Sequence, residues 1–174
     1  MAKRIEEAVR DLMLVSVEGD PLEDLVVWFR GDPNVVPVKL YPFGAVFITL
    51  GGEGQGTDGY TDDTGPTLSL RYDGFVSVEV LHRDASALVR GSDRKIDVPS
   101  HDLAQAYAQA ALNRLRAWGP SSHTIEGLVT SQDGKELTSS LSYDAIRWGL
   151  NERVNNVSNL GTFEFHIFTR RREY

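Results

Sequence analysis

The sequence predicts an α+β domain in which a mixed, mainly antiparallel sheet packs against two or three helices, with long inter-strand loops. Three observations predict it. Apolar residues recur at three- and four-residue steps in two segments, Ile5 to Met13 and Leu103 to Trp118. They alternate at period two in two others, Leu68 to Val80 and Phe163 to Ile167. The order of segments is helices, strand, hairpin, helix, strand and a closing strand, a mixture that fits helices lying on a sheet. A chain of 174 residues with 41% hydrophobic residues has enough apolar material for one core, so a single domain is expected over 1–174.

The elements follow in order. Ile5, Ala8, Val9, Leu12 and Met13 fall on one face of an N-terminal helix, with the charges on the other. Asp20, Pro21 and Glu23 resemble a helix start, with Asp20 as cap and Pro21 at the first helical position. Leu22, Leu25, Val26 and Phe29 continue that helix, and Gly31, Asp32 and Pro33 end it. Val35 to Leu50 is rich in β-branched and aromatic residues. Pro37 and Pro42 each remove a ladder donor, which predicts an edge strand or two strands broken near Tyr41-Pro42.

Gly51 to Pro66 reads as an extended Gly/Asp-rich loop with six glycines and four acids. Loops of this length in compact domains usually bind something or are disordered. Leu68, Leu70 and Tyr72 then alternate up to Asp73-Gly74, a tight-turn signal, and Val76, Val78 and Val80 form the return strand. His82 to Val98 is polar and irregular. Leu103, Tyr107, Ala110, Ala111, Leu115 and Trp118 share one helical face, with Ser100 as cap and Gly119-Pro120 as stop. Thr124 to Thr130 predicts a short strand running toward an Asp133-Gly134 turn. Tyr143 to Val154 predicts a helix through Ile146, Leu150 and Val154. Phe163, Phe165 and Ile167 predict a final strand, followed by the one dense basic run, Arg170, Arg171 and Arg172.

Composition narrows function. A net charge of -7 argues against a dominant nucleic-acid surface, which needs clustered cations. No stretch has the length and apolarity of a spanning helix, and the charged first ten residues lack a signal-peptide core. The absence of cysteine removes disulfides, thiolate metal sites and a cysteine nucleophile.

No chemistry-bearing motif survives its context. Gly54, Gly56 and Gly59 have dinucleotide-loop spacing, but loop rather than helix follows, and Asp62 and Asp63 would face the phosphates. Glu53, Asp58, Asp62 and Asp63 lack the alternating pattern of a calcium loop. His101-Asp102 and Ser122-His123 lack a nucleophile elbow, and the four histidines show no paired metal-ligand spacing. The expectation is therefore no catalytic residue, no cofactor and no metal. The basic run reads more simply as a charged tail or an edge-blocking device than as a binding site.

The amphipathic first helix, the Tyr41-Pro42 strand region, the segment RYDGFVSVEVLHRD (Arg71 to Asp84), the Ala-rich helix to Trp118 and the closing FEFHIFTRRR together resemble tail terminator (tail completion) proteins of long-tailed bacteriophages. The glycine loop and an extra segment over 131–160 are additions relative to the smallest members. The resemblance implies a non-enzymatic virion subunit, made in the host cytoplasm, that forms a ring, usually a hexamer. Such a ring sits on the head-proximal end of the tail tube, stops tube growth and docks the head-side connector. Partners would be copies of itself, the tube protein and the connector or adaptor, with DNA only passing through the lumen. The residues expected at assembly contacts are Glu53, Tyr60, Asp62, Asp63, Arg170, Arg171 and Arg172. Alternatives are another neck protein contacting portal or adaptor, and a small enzyme or nucleotide-binding protein.

Overall fold

A computed structural model of the chain describes residues 2–54, 67–82, 89–90, 96–118 and 136–172. Helix α1 (Ala2–Met13) buries Ile5, Ala8, Val9 and Met13, the stripe expected from their spacing. Its last carbonyls are capped from afar. The Arg114 guanidinium donates to the backbone oxygens of Leu12 (3.2 Å), Met13 (2.8 Å) and Val15 (2.6 Å) and pairs with Asp20 at 2.8 Å. A buried cation thus meets the negative end of the helix dipole and satisfies acceptors that the helix cannot.

Asp20 caps as expected, accepting from the Leu22 amide at 2.9 Å, but the helix it starts is a single 3-10 turn, Pro21–Asp24. The predicted continuation through Phe29 is wrong: Val27–Arg30 is strand β1. Val26, Val27, Trp28 and Phe29 are β-branched or aromatic, and pairing with a neighbouring strand outweighs the apolar spacing. Only the second half of the Val35–Leu50 run is strand. Val38–Leu40 is a 3-10 turn, Tyr41-Pro42 is a cis peptide, and β2 (Phe43–Gly54) begins right after it. β1 runs parallel to β2 over Phe43–Val46, with Trp28 opposite Gly44. A Cβ on Gly44 would lie 2.3 Å from the Trp28 ring, so glycine is what lets the indole lie on the strand.

Gly51 to Gly54, expected in the loop, belong to β2 and pair with β3 (Thr67–Leu81) out to Gly54 opposite Ser69. The remainder of the loop, 55–66, lies outside the described residues. The Asp73-Gly74 turn is also a correction, because β3 is one unbroken strand of 15 residues. Gly74 sits in its middle, where an added Cβ would lie 2.5 Å from the Phe165 ring and 2.9 Å from Ile48. Tyr72, Val76, Val78 and Val80 are buried in phase on one face, so the alternation runs straight through the dipeptide. β2 carries a bulge opposite this point, between Ile48 and Leu50. The Ile48 amide there donates to Glu6 of α1 at 2.9 Å.

Within the irregular stretch, β4 (Val89–Arg90) and β5 (Ile96–Asp97) pair with each other. Helix α2 (Pro99–Trp118) forms as predicted. Its start differs: Pro99 is the first residue, the His101 amide bonds the Val98 carbonyl, and the Ser100 hydroxyl accepts from Asn159 instead of capping. Leu103 is 39% exposed, while Ala104, Tyr107, Ala108, Ala111 and Leu115 face the core.

The predicted helix over Tyr143–Val154 is absent. β6 (Glu136–Tyr143) and β7 (Arg147–Arg153) occupy this region, and a turn at Val154-Asn155, with Asn155 at φ 65°, leads into β8 (Asn156–Arg172). The spacing of Ile146, Leu150 and Val154 suits period two as well as a helix, and pairing with β8 decides between them. The strand expected over Thr124–Thr130 and the Asp133-Gly134 turn lie outside the described residues.

The main sheet has six strands in the order β1-β2-β3-β8-β6, with β7 also on β8. β6 pairs with Phe165–Arg171 and β7 with Asn156–Thr162, so the two line up end to end along one edge. They are separated at 144–146, where the Asp144 amide still bonds the Glu164 carbonyl at 2.9 Å. α1 lies against β1 and β2, α2 against β3 and β8. The core fills the space between these helices and one sheet face, where Val46, Val76, Phe163, Phe165 and Ile167 are buried. The α+β fold with a mixed, mostly antiparallel sheet is as the sequence predicts. No helix among the described residues is long and apolar enough to cross a membrane.

Candidate functional site

The sheet face turned away from α1 and α2 carries the unusual chemistry. Register assigns Phe43, Ala45 and Phe47 of β2, Asp73, Phe75, Ser77 and Glu79 of β3, and Leu160, Thr162, Glu164 and His166 of β8 to this face. An antiparallel sheet with one face solvated normally alternates apolar and polar residues cleanly. Here an aromatic pair lies near the centre of the outer face: Phe47 stacks on Phe75 at 5.5 Å, with buried Ala45 next along β2 on this face and half-buried Leu160 further on, opposite Glu79.

At one end of the face lies a buried ion pair. Glu79, fully buried, accepts from the Arg153 guanidinium at 2.6 Å, Asn151 at 2.9 Å and the Ser158 hydroxyl at 2.7 Å. Arg153 also pairs with Asp32 at 2.9 Å, donates to the Pro33 carbonyl and lies 5.7 Å from the Phe43 ring centre. Its hydrogen bond to Glu79 raises its pKa above the ordinary arginine value, against the opposing effect of burial. Burial and then the Glu79 charge raise the Tyr41 phenol in the same cluster. Glu79 and Arg153 are satisfied by other protein groups, whereas the buried Tyr41 hydroxyl beside them has no hydrogen-bond partner among the described residues; the cluster fastens the 31–42 connection onto β3 and β7.

Toward the other end, Asp73 and His166 face each other across β3 and β8, with His166 Nδ1 at 2.7 Å from Asp73 Oδ1. Arg71 donates to the same oxygen at 2.9 Å. Burial pushes the Asp73 carboxyl up, but the hydrogen bonds from Arg71 and His166, with their charges, outweigh it and leave the pKa below the usual carboxylate value. Glu164, two residues before His166 on the same face, completes a group whose ligand atoms lie within 4.8 Å of one another.

A separate crevice of about 360 Å³ opens between the end of α1 and the 3-10 turn, lined by Met13, Leu14, Leu22, Leu25 and Val26 among others. Its polar content is modest, a Ser16 hydroxyl donating to Glu23 at 2.6 Å.

Of the residues expected at assembly contacts, Tyr60, Asp62 and Asp63 lie outside the described residues. Glu53 is in β2 opposite Leu70, and Arg170, Arg171 and Arg172 are in β8 opposite Ser69, Leu68 and Thr67. The basic run is therefore not a frayed tail, and it does not guard a sheet edge, since β6 pairs with β8 beyond it at Leu137 and Glu136. Glu53 and the arginines occupy the same end of the sheet, the end from which the 55–66 connection leaves β2 and returns to β3.

Sequence reasoning missed Asp73, Glu79, Arg153, Glu164 and His166 as partners. Glu79, Glu164 and His166 were legible as outward-facing strand residues, but only register sets which strands stand side by side. No protein-family model matches the chain, and no curated protein matches it.

Proposed function

We propose that this protein is a structural subunit of a bacteriophage tail, forming a ring at the head-proximal end of the tail tube. The ring ends tube polymerisation and offers a docking face to the head-side connector. The observation that carries this reading is the gathering of Glu53, Arg170, Arg171, Arg172 and the ends of the 55–66 connection at one end of a helix-backed sheet. Connections carried at one end of a rigid scaffold are where binding residues concentrate, so this end is the one proposed to meet a partner below or above a ring.

The two lateral edges of the sheet support ring formation. One is the four-residue β1; the other is the β6–β7 line, which exposes Trp148 (43%) and Leu150 (61%). Non-identical edges suit a heterologous, head-to-tail interface, which closes into a ring when its rotation divides a full turn. The partners are copies of the same chain, in a hexamer by resemblance, then the tube protein and the connector or adaptor. DNA passes through the lumen, and a net charge of -7 would limit its sticking.

Purified protein examined by native mass and negative-stain electron microscopy, with and without tube protein, tests this. Rings that cap tubes are the expected result. Rings that join only capsid-side proteins would move the protein to another neck position, and a monomer indifferent to tube protein would overturn the reading.

A further inference from the structure

We propose that Asp73, Glu164 and His166 form a binding site for a divalent first-row transition metal ion, with Zn²⁺ the best fit to their donors. Two carboxylates and one imidazole bring ligand atoms within 4.8 Å of one another, the one such grouping among the described residues. The fold explains why they meet: His166 is directly opposite Asp73, and Glu164 is the next residue along β8 on the same face. Both strands are paired on either side over part of this stretch, so the backbone positions are held by the ladder, and a site on such elements is better ordered than one on a loop.

The donor set selects the ion. Calcium and magnesium prefer shells built of oxygens, whereas imidazole mixed with carboxylate suits zinc and its neighbours. Zinc bonds of about 2.0–2.2 Å set tetrahedral donors roughly 3.4 Å apart, so the Asp73–His166 hydrogen bond at 2.7 Å must give way and open, while Glu164 closes in from within 4.8 Å. Glu164 has the freedom to do this: it is half-buried, and neither β6 nor β7 places a residue opposite it, because their break falls at 144–146. Three protein ligands on a face not covered by α1 or α2 leave a fourth position for water or another incoming ligand.

Arg71 opposes the ion. Its guanidinium holds Asp73 Oδ1 at 2.9 Å, yet its side chain is 53% exposed, so it can turn away when a metal arrives. This competition supplies a signature that chance binding to a surface histidine lacks.

The test uses the full chain, stripped with chelator, titrated with Zn²⁺ by calorimetry and with Co²⁺ by visible absorption. One ion per chain is expected. Glu164→Gln and His166→Ala should each weaken binding by roughly tenfold or more, and Arg71→Gln should tighten it. Circular dichroism of the half-buried Glu164→Gln variant guards against misfolding as the cause. Zn²⁺ affinity that is absent, or equal in wild type and folded Glu164→Gln, would overturn the site; so would an Arg71→Gln variant that binds no more tightly. The outcome is independent of ring formation.

Discussion

Gly74 and Glu79, five residues apart on β3, represent two ways in which single positions hold this sheet. Gly74 matters because the Phe165 ring occupies the space that a side chain would need. Gly74→Ala is expected to destabilise the protein by about 1–3 kcal/mol through overpacking, read as a lower denaturant midpoint with unchanged slope. An unaltered midpoint would mean the ring moves aside freely. Glu79 matters because its charge is buried and fully paired. Glu79→Ala leaves the Arg153 guanidinium without its main partner and should cost about 3–5 kcal/mol by urea unfolding. The double change Glu79→Leu with Arg153→Met removes both charges and should cost less than the single one, since an uncompensated buried charge is worse than none. Additive losses would contradict that account. Both residues are visible in the sequence, but neither role is: Asp73-Gly74 has the composition of a turn, and Glu79 has the position of a solvated strand residue.

At the scale of elements, three outcomes depend on the same competition between local pattern and strand pairing. α1 and α2 form where the sequence places them, because each has a long apolar stripe and little β-branching in its interior. The segments Leu25–Phe29 and Tyr143–Val154 have a helical spacing too, yet both contain residues such as Val27, Trp28, Trp148 and Gly149 that favour or tolerate a strand. A free neighbouring strand then decides. The β2–β3 hairpin shows the reverse case, in which an expected loop is shortened because pairing extends to Gly54 opposite Ser69. Replacing residues 55–66 with a short Asn-Gly turn should leave the protein folded and raise its stability by no more than about 1.6 kcal/mol, since closure entropy varies slowly with loop length. Under the proposed tail-terminator function, the same replacement should abolish capping of tail tubes. Loss of cooperative unfolding in this variant would show that the segment belongs to the core.

For the whole molecule, the asymmetry between sheet faces and edges is the feature with functional reach. Helices cover one face; the other carries an aromatic centre with a locked ion pair at one end and the Asp73, Glu164 and His166 group toward the other. The edges differ in length and chemistry, which is what a ring of identical subunits requires of its two contact patches. Leu150→Lys changes an exposed residue on the β6–β7 edge, so folding should be retained within about 0.5 kcal/mol. Under the proposed head-to-tail ring, native mass should show ring formation lost or weakened. A variant that still forms full rings would place the interface elsewhere.

The sequence by itself determined the fold class, the two helices, the strands around Val76 and Phe165, and the Asp20 cap, because these depend on periodicity and capping within a few residues. Only the tertiary structure decided that β3 runs unbroken, that Val27–Arg30 and Arg147–Arg153 are strands, and that Asp73 faces His166 while Glu79 meets Arg153. Those facts are fixed by which strands lie side by side and in what register. The Glu79–Arg153 and Asp73–His166 contacts join residues 74 and 93 positions apart, and even where β1 meets β2 or β7 meets β8 close in sequence, the periodicity of one segment does not name the strand it pairs with.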